Sequence, residues 1–236
     1  RTRLAAELER LAPATGAPEL AGLAPRFRAL PPEDFASSWR KSWKPFRLRR
    51  WCVVTPDWTG ALRPGEHALR LEPGGAFGTG RHPTTRLCLR AIDERSSPGE
   101  RIVDCGSGTG ILAVAACLAG AREALGFDLD PHARPYALEL ARANGVDARA
   151  TFRTGGFEEA RGPGPFDGLL ANLYADVLVR HAGDLRDLLA PGGWFAASGV
   201  PRDKAPATLA ALADAGLSVE EAPARGRWCA FVGRRS

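Results

Sequence analysis

The fold is decided by one stretch of sequence, Ile102-Val103-Asp104-Cys105-Gly106-Ser107-Gly108-Thr109-Gly110-Ile111. It passes from apolar residues through a glycine-rich turn into an alanine-rich run, which predicts a short buried strand, a loop and the start of a helix. Glycine lets the backbone approach a ligand closely and adopt conformations that a Cβ atom forbids. The stretch therefore predicts a ligand-binding loop at the carboxyl end of a strand.

The spacing of the glycines indicates the class of ligand. A dinucleotide-binding fingerprint reads G-x-G-x-x-G, whereas this loop reads G-x-G-x-G at Gly106, Gly108 and Gly110. Ile111 stands where the fingerprint has its third glycine, and Asp104 places a carboxylate where a pyrophosphate would be repelled. S-adenosylmethionine has no phosphate and carries a sulfonium and an ammonium. We therefore predict S-adenosylmethionine as the cofactor; the alternative is a tight turn without a ligand.

Three further positions follow predicted strands. Asp128 ends the second strand, where an acidic residue commonly binds ribose hydroxyls. Phe157 follows the third strand and is a candidate adenine contact, and Asn172 follows the fourth. Ligands of such sheets bind at the carboxyl ends of the strands near the switch point. We therefore expect these side chains and the Gly106 loop to form one site.

Asn172 and the adjoining Leu173 are the predicted catalytic residues. Methylation of an amine requires a neutral nitrogen whose lone pair is in line with the sulfonium methyl group, and a lysine amine has a pKa of about 10.4. A carboxylate would raise that pKa, whereas the Asn172 side chain and nearby backbone carbonyls are neutral acceptors that aim the lone pair. Positioning then supplies most of the rate acceleration. Tyr174 either offers an aromatic face to a cationic centre or packs at a helix start.

Strands alternate with helices from Arg101 onward, which predicts an α/β fold with a mostly parallel sheet covered by helices on both faces. Only four residues separate the last two predicted strands, so these form a C-terminal antiparallel hairpin. Seven strands are predicted in this part of the chain. The predicted strands are 101–105, 123–128, 148–153, 166–171, 193–198, 217–222 and 227–233; the predicted helices are 111–118, 131–144, 174–189 and 204–215.

The first fifty residues are predicted to lie outside the main domain, with 1–35 as a short N-terminal segment, 36–50 as a linker helix and 51–236 as the methyltransferase domain. Phe35, Trp39 and Trp43 recur at helical spacing and would form one aromatic face. The rest of the helix and its exit are basic, a combination that RNA-binding surfaces also show. We favour a docked aromatic face with a solvated basic face.

Composition narrows the class of protein. The 236 residues carry a net charge of +5 and contain no apolar run of about 18 residues, so no membrane span is expected. The five cysteines are odd in number and lack a C-x-x-C pair, which predicts reduced, buried thiols of a cytoplasmic protein and no metal site. Because the chain contains no methionine, we expect its natural N-terminus, and any targeting segment, to precede Arg1.

A second glycine-rich stretch reads Ala76-Phe77-Gly78-Thr79-Gly80-Arg81-His82-Pro83-Thr84-Thr85. We predict a loop that folds over the ligand at Gly106, followed by a helix whose N-cap is Thr84 or Thr85. The alternative is a flexible connector. His82 precedes a proline and is interpreted as structural, so no catalytic role is assigned to it.

This stretch resembles a highly specific motif of the ribosomal protein L11 methyltransferase family, PrmA. The resemblance runs from about Pro32 to the C-terminus and includes the Gly106 loop, Asp128-Leu129-Asp130-Pro131 and Ala171-Asn172-Leu173. It implies a Rossmann-like class I S-adenosylmethionine-dependent methyltransferase that methylates lysine or α-amines of ribosomal protein L11 in the cytoplasm. Residue by residue, it implies cofactor-site roles for Thr85, Gly106, Asp128 and Asn172, and a lid role for Phe77.

Departures from the family pattern leave the substrate open. The family's N-terminal domain, a ferredoxin-like unit that grips the ribosomal protein, is much longer than residues 1–35, which therefore represent part of it. Gly75 replaces a usual Met, and Leu173-Tyr174 replaces the commoner Ile-Leu. The alternatives are a lysine methyltransferase of another protein and an RNA-associated S-adenosylmethionine-binding module. Because the Asn172 motif is intact, direct nucleic-acid binding is disfavoured. No sequence feature specifies an oligomeric state.

Overall fold

The computed structural model of the chain describes residues 44–71 and 80–236. The predicted N-terminal segment, most of the predicted linker helix, and Gly75 and Phe77 of the second glycine-rich stretch lie outside the described residues. Every described residue belongs to one compact unit, Ser42–Ser236.

The strands, in chain order, are β1 (Phe46–Leu48), β2 (Trp51–Val54), β3 (His67–Arg70), β4 (Arg101–Cys105), β5 (Glu123–Asp128), β6 (Ala150–Thr154), β7 (Phe166–Asn172), β8 (Leu189–Pro201), β9 (Leu217–Glu221), β10 (Ala224–Arg225) and β11 (Trp228–Arg235). The helices are α1 (Pro83–Arg95), α2 (Ile111–Leu118), α3 (Ala133–Ala143), α4 (Glu158–Arg161), α5 (Ala175–Arg180), α6 (Ala182–Leu188) and α7 (Ala205–Asp214), with a 3-10 turn at Arg202–Lys204.

An eight-stranded sheet organises the domain in the order β10-β11-β8-β7-β4-β5-β6, with β9 also paired to β11. The strands from β4 to β8 run parallel, and β11 is antiparallel to its neighbours β8, β9 and β10. This arrangement confirms the predicted mostly parallel sheet with its C-terminal antiparallel hairpin. The eighth strand, which was not predicted, is β10. It has only two residues and lies within the link between the last two predicted strands, which contains proline and glycine.

Helices cover both faces of the sheet because the buried strands alternate their side chains between two cores. Ile102 packs in the core beneath α1 and α2, and the next residue, Val103, packs in the core beneath α5 and α6. Leu169 and Leu170 divide in the same way on the neighbouring strand β7. β5 and β6 lie on one side of β4, and β7 and β8 lie on the other. The strand order therefore reverses at β4, and the crevice at its carboxyl end is the expected ligand site.

A second, three-stranded sheet precedes α1, with β1 antiparallel to β2 and β2 parallel to β3. The predicted linker helix is therefore wrong over residues 46–48. Phe46 and Leu48 are half-buried while Arg47 between them is exposed, which is the two-residue period of a strand. Arg49 adopts the left-handed region at φ 53° and turns the chain back into β2. Pairing with the fully buried β2 holds residues 46–48 in a strand.

Two helix boundaries also differ from prediction. The helix predicted over 174–189 is two helices, α5 and α6, which meet at His181, whose φ is −109°. The N-cap of α1 is His82, not Thr84 or Thr85, and its side chain accepts the Thr84 amide. Proline is favoured at the first helical position because it lacks an N–H group to satisfy, so the helix begins at Pro83 and its cap lies two or three residues before the predicted position. Within the described residues, no helix is long and apolar enough to cross a membrane.

The contact between Gly168 and Trp194 gives a test of how β7 and β8 pack. A Cβ atom on Gly168 would lie 2.5 Å from the Trp194 ring and 2.6 Å from Ile102, so Gly168→Ala is expected to lower the unfolding free energy by about 1–3 kcal/mol. Gly183→Ala is the matched control, because nothing lies near the added atom and α6 gains helix propensity. Urea unfolding of both variants measures the difference; equal stabilities would contradict the packing.

Candidate active site

A cavity of about 850 Å³ opens where the parallel strands end. The loops after β4, β5, β6 and β7 all contribute to its wall, as expected when the carboxyl ends of parallel strands share an edge. The wall also includes side chains from the start of α1 and from the α5–α6 junction. The residues that line the cavity include His82, Gly106, Gly108, Asp128, Leu129, Phe157, Arg161, Asn172, Leu173, Tyr174, His181, Asp184, Gly199 and Trp228.

The loop after β4 depends on glycine at three positions. Gly106, Gly108 and Gly110 have φ values of 71°, 51° and 77°, in the left-handed region that favours glycine. The amides of Gly106 and Ser107 both donate to the Phe127 carbonyl at 2.9 Å, which holds the loop against the end of β5. Gly106 and Gly108 line the cavity, as predicted. Gly110 caps α2 and faces Phe152 and Ala137, outside the cavity wall.

Asp128 holds its carboxylate rigidly at the end of β5. Oδ2 accepts the Gly108 amide at 2.8 Å, and Oδ1 accepts the Asp130 amide at 2.9 Å. A carboxylate has about four acceptor positions, so two remain for hydroxyl groups of a ligand. Asp128 lines the cavity, and its position agrees with the predicted ribose contact.

Asp104 does not lie where the prediction placed it. Its side chain is fully buried and outside the cavity wall, because the two-residue period of β4 puts position 104 on the same face as Ile102, beneath α2. Oδ2 accepts the Ala113 amide at 3.1 Å in the first turn of α2, and Oδ1 has no hydrogen-bond partner. Gly110 is the N-cap residue of α2 but has no side chain, so the Asp104 carboxyl group supplies the side-chain hydrogen bond to the first turn.

Burial raises the pKa of Asp104 to about 7, with a smaller contribution from the negative charge of Asp128, while the Ala113 hydrogen bond opposes the rise. Desolvation disfavours the charged form of a carboxyl group, which explains the direction of the shift. Between pH 3.8 and about pH 7, the Asp104 carboxyl group therefore keeps a proton in the folded protein that it releases in the unfolded chain.

Asn172 is held against the start of α1. Its Nδ2 lies 3.5 Å from the Thr85 hydroxyl, at the outer limit of a hydrogen bond, and Thr85 is fully buried. Thr85 is therefore not part of the cavity wall but a support for the Asn172 amide. With Nδ2 directed at Thr85, no group in residues 44–71 or 80–236 donates to Oδ1, and that oxygen is the acceptor left for a ligand.

Leu173 is enclosed by two glycines. A Cβ atom on Gly106 would lie 2.4 Å from Leu173 Cδ2, and a Cβ atom on Gly199 would lie 2.1 Å from the Leu173 carbonyl oxygen. The Leu173 amide also donates to the Ser198 carbonyl at 3.0 Å. The backbone that follows Asn172 is thus fixed by close approach from both neighbouring strands.

Phe157 lines the opposite end of the cavity and packs in a small aromatic group. Its ring stacks on His181 with centroids 4.8 Å apart and meets Phe127 edge-on at 5.3 Å. His181 Nδ1 lies 2.8 Å from Asp184 Oδ2, and Asp184 also pairs with Arg161. The hydrogen bond from His181 and the charge of Arg161 lower the pKa of Asp184. The sequence did not point to His181, Asp184 or Arg161. The local signal for the helix break is Gly183, which itself lies in the first turn of α6.

Aromatic side chains flank the Asn172 end. The His82 ring meets Trp228 edge-on at 5.2 Å, and His82 Nδ1 lies 2.7 Å from the Thr84 hydroxyl. His82 caps a helix, which agrees with its structural interpretation, and it also lines the cavity. Tyr174 lines the cavity and is 79% exposed, so it does not pack in the core. Trp228 was missed because its strand is far from the glycine loops in sequence.

Asp104→Asn tests the buried carboxyl group through the pH dependence of stability. A folded-state pKa raised from 3.8 to about 7 stabilises the fold fully below pH 3.8, and this stabilisation is lost as the pH rises through 7. Asparagine retains an acceptor for the Ala113 amide and does not titrate. The unfolding free energy of the wild type minus that of the variant should therefore fall between pH 4 and pH 8 in denaturant titrations. A difference that is constant with pH would contradict the raised pKa.

Comparisons with known proteins give one consistent result. A family model described as ribosomal protein L11 methyltransferase (PrmA) matches residues 4–236. The ribosomal protein L11 methyltransferase of Geobacter sulfurreducens is 40% identical over 212 residues, which cover 89% of this chain and 69% of that protein. The corresponding Thermus thermophilus protein is 42% identical over 198 residues, covering 83% and 75%.

A solved structure agrees with the sequence relatives. The crystal structure of ribosomal protein L11 methylase from Lactobacillus delbrueckii subsp. bulgaricus superimposes with a TM-score of 0.73 at 26% identity. The match covers 82% of this chain and 99% of that chain.

Proposed function

Because the chain belongs to the ribosomal protein L11 methyltransferase family, we propose that it transfers methyl groups from S-adenosylmethionine to amines of ribosomal protein L11. The chain is an S-adenosylmethionine-dependent protein methyltransferase with a Rossmann-like fold. The observation that carries the substrate class is that Asp128 and Asn172 line one cavity beside the Gly106 loop. One residue suits a cofactor ribose, and the other suits a neutral amine.

The residues of the cavity fit the cofactor in three places. Two acceptor positions of the Asp128 carboxylate remain open to the ribose hydroxyls. Leu129, which is 78% exposed, and Phe157 supply apolar surface for the adenine beyond that ribose. Gly106 and Gly108 let the remaining part of the cofactor approach the backbone. A cavity of about 850 Å³ lies within the usual range of small-molecule sites, roughly 300–1,000 Å³.

S-adenosylmethionine supplies a methyl group on a sulfonium when it is bound. The chain's part is to present a neutral amine, and deprotonating a lysine near pH 7.5 costs roughly 4 kcal/mol. Asn172 Oδ1 accepts one amine N–H without adding the negative charge that would raise the amine pKa. The Leu173 backbone, held by Gly106 and Gly199, is the second positioning element. Both act by aligning the lone pair, so we assign no general base to the site.

The aromatic residues at the Asn172 end enclose the amine. Trp228, His82 and Tyr174 would line the path of a substrate side chain, with Tyr174 at the exposed mouth. Aromatic faces attract cationic nitrogen, which suits an amine that becomes a methylated ammonium. The Thr85 hydroxyl orients the Asn172 amide from the side away from the cavity. Asp104 binds the first turn of α2, the helix that follows the Gly106 loop. Phe77 remains the proposed lid.

Ion pairs within the basic stretch argue against the alternative of an RNA-associated module. Three arginines of the basic stretch are ion-paired, Arg47 with Glu66, Arg49 with Glu94 and Arg50 with Asp93. Paired arginines contribute little to phosphate binding, which depends on excess positive charge. We propose the cytoplasm as the compartment, since the five cysteines are free and buried.

Asn172→Ala tests the amine site directly. Loss of the acceptor misaligns the nucleophile, and the rate of methyl transfer to purified ribosomal protein L11 should fall by roughly 100-fold or more. Intact-mass spectrometry of the substrate counts the methyl groups added over time. S-adenosylmethionine affinity, measured by calorimetry, should fall much less than the rate, because Asp128 and the Gly106 loop still contact the cofactor. Asn172→Asp should restore activity only at higher pH, because a carboxylate raises the amine pKa. Wild-type rates in Asn172→Ala, or no methylation of L11 by the wild type, would contradict the proposal.

Phe157→Ala tests the cofactor end of the cavity. An aromatic contact contributes about 0.5–1.5 kcal/mol, so the dissociation constant for S-adenosylmethionine should rise between roughly twofold and tenfold. Tyr136→Ala is the matched control, because Tyr136 is a partly exposed aromatic side chain on α3 outside the cavity wall. Calorimetric titration of both variants measures the change. An unaltered affinity in Phe157→Ala would remove Phe157 from the cofactor site.

A further inference from the structure

We propose that a cluster of arginines beside Trp228 binds carboxylate side chains of the protein substrate next to the amine that is methylated. The cluster, here called the rim cluster, consists of Arg86, Arg202, Arg225 and Arg227. The inference rests on the proposed function, because it assigns the cluster to recognition of the substrate of the same site.

The rim cluster is next to the cavity, because its arginines lie around Trp228. Trp228 lines the cavity, and the Arg227 guanidinium carbon lies 5.2 Å from the centre of its ring. Arg225 faces Trp228 across the β10–β11 pair. Arg202 joins the same turn, since its amide donates to the Arg227 carbonyl at 2.9 Å and its Nε donates to the Gly226 carbonyl at 2.8 Å. Three exposed arginines therefore flank the aromatic wall of the proposed amine site.

Arg86 extends the cluster along α1. Burial lowers the pKa of Arg86, and the positive charges of Arg225 and Arg81 lower it further. Its guanidinium lies 5.5 Å from the centre of the Phe46 ring, and its buried Nε has no hydrogen-bond partner. Like charges held close together with an unsatisfied donor are unfavourable for the isolated protein. An anion bound at the exposed arginines would relieve the repulsion between these charges.

Other arginines of α1 are paired in the ordinary way. Arg90 pairs with Glu94, and Arg95 pairs with Glu220 and Glu221. By contrast, no carboxylate of residues 44–71 or 80–236 forms an ion pair with any arginine of the rim cluster. Asp203, which follows Arg202 in sequence, forms none with it. The rim cluster therefore places positive charge without an ion pair beside Trp228, at the wall of the proposed amine site.

The partner chemistry follows from this position. A protein amine that reaches Asn172 brings its neighbouring residues over Trp228 and onto the rim cluster. Complementary charge across an interface favours association and fixes the orientation of the partner. Arginine also suits carboxylates, which it binds with two parallel hydrogen bonds. Single-stranded nucleic acid would need an aromatic stacking surface as well. Of the aromatic residues beside the cluster, Trp228 lines the cavity and Phe46 packs against the core.

The test is the steady-state methylation of purified ribosomal protein L11 by Arg225→Glu/Arg227→Glu. Replacing attraction by repulsion should raise the KM for L11 roughly tenfold or more, while kcat and the affinity for S-adenosylmethionine change less than about twofold. Added salt should raise the KM of the wild type and have little effect on that of the variant. Arg122→Glu is the matched control, because Arg122 is exposed and lies at the amino end of β5, away from the carboxyl ends of the strands where the cavity opens. It should behave as the wild type.

A decaglutamate peptide probes the chemistry of the partner. It should inhibit the wild type competitively against L11 and inhibit the double variant much less. Should the glutamate variant lose cofactor binding, Arg225→Gln/Arg227→Gln decides, with a smaller rise in KM expected. An unchanged KM in a variant that binds the cofactor would overturn the proposal. Inhibition by a uridine oligonucleotide that exceeds inhibition by decaglutamate and requires both arginines would overturn it too, in favour of RNA.

The two proposals fail in different ways. If the wild type binds S-adenosylmethionine but adds no methyl group to L11, the proposed function fails. If the wild type and the glutamate variant methylate L11 with the same KM, only the role of the rim cluster fails.

Discussion

The close packing of Leu173 between Gly106 and Gly199 is the constraint on which the site depends. Gly106 follows the central strand β4, Gly199 lies in β8, and Leu173 follows β7, the strand between them. A Cβ atom on either glycine would overlap Leu173, so the three strand ends meet closely only because both positions are glycine. Asn172 precedes Leu173 and is fixed by the same contacts. The cofactor loop and the proposed amine acceptor are therefore parts of one packed unit.

Two aspartates near this unit have different tasks because they face different surroundings. Asp128 lies in the cavity wall with two amides bound to its carboxylate, so its remaining acceptor positions can serve a ligand. Asp104 lies beneath the loop, fully buried, with one amide bound and a pKa raised to about 7. Asp128 is placed to bind the cofactor, and Asp104 stabilises the start of α2, the helix that follows the Gly106 loop.

Much of this arrangement could be predicted from the sequence, because local patterns specify it. The strand–glycine–helix stretch, the alternation of strands and helices, and the family resemblance all anticipated the fold and family that were found. Asp128, Phe157, Asn172 and the first two glycines of the loop do lie in the cavity wall.

The failures share a physical cause, which is that tertiary contacts decided them. Residues 46–48 form a strand because β2 offers a buried partner edge. Asp104 points beneath α2 because of the period of a strand whose two faces are both buried. At the helix break, His181 contacts Asp184 and stacks on Phe157, and the second of these contacts joins residues that are distant in sequence. Trp228 reaches the site from the far end of the chain through the antiparallel insertion of β11.

A crystal structure of the protein with S-adenosylhomocysteine would test the site most directly. We expect ribose hydroxyls within hydrogen-bond distance of the Asp128 carboxylate, and the sulfur directed toward Asn172 and Trp228. A ligand that leaves Asp128 without a ribose contact, or whose sulfur points away from Asn172, would contradict this expectation.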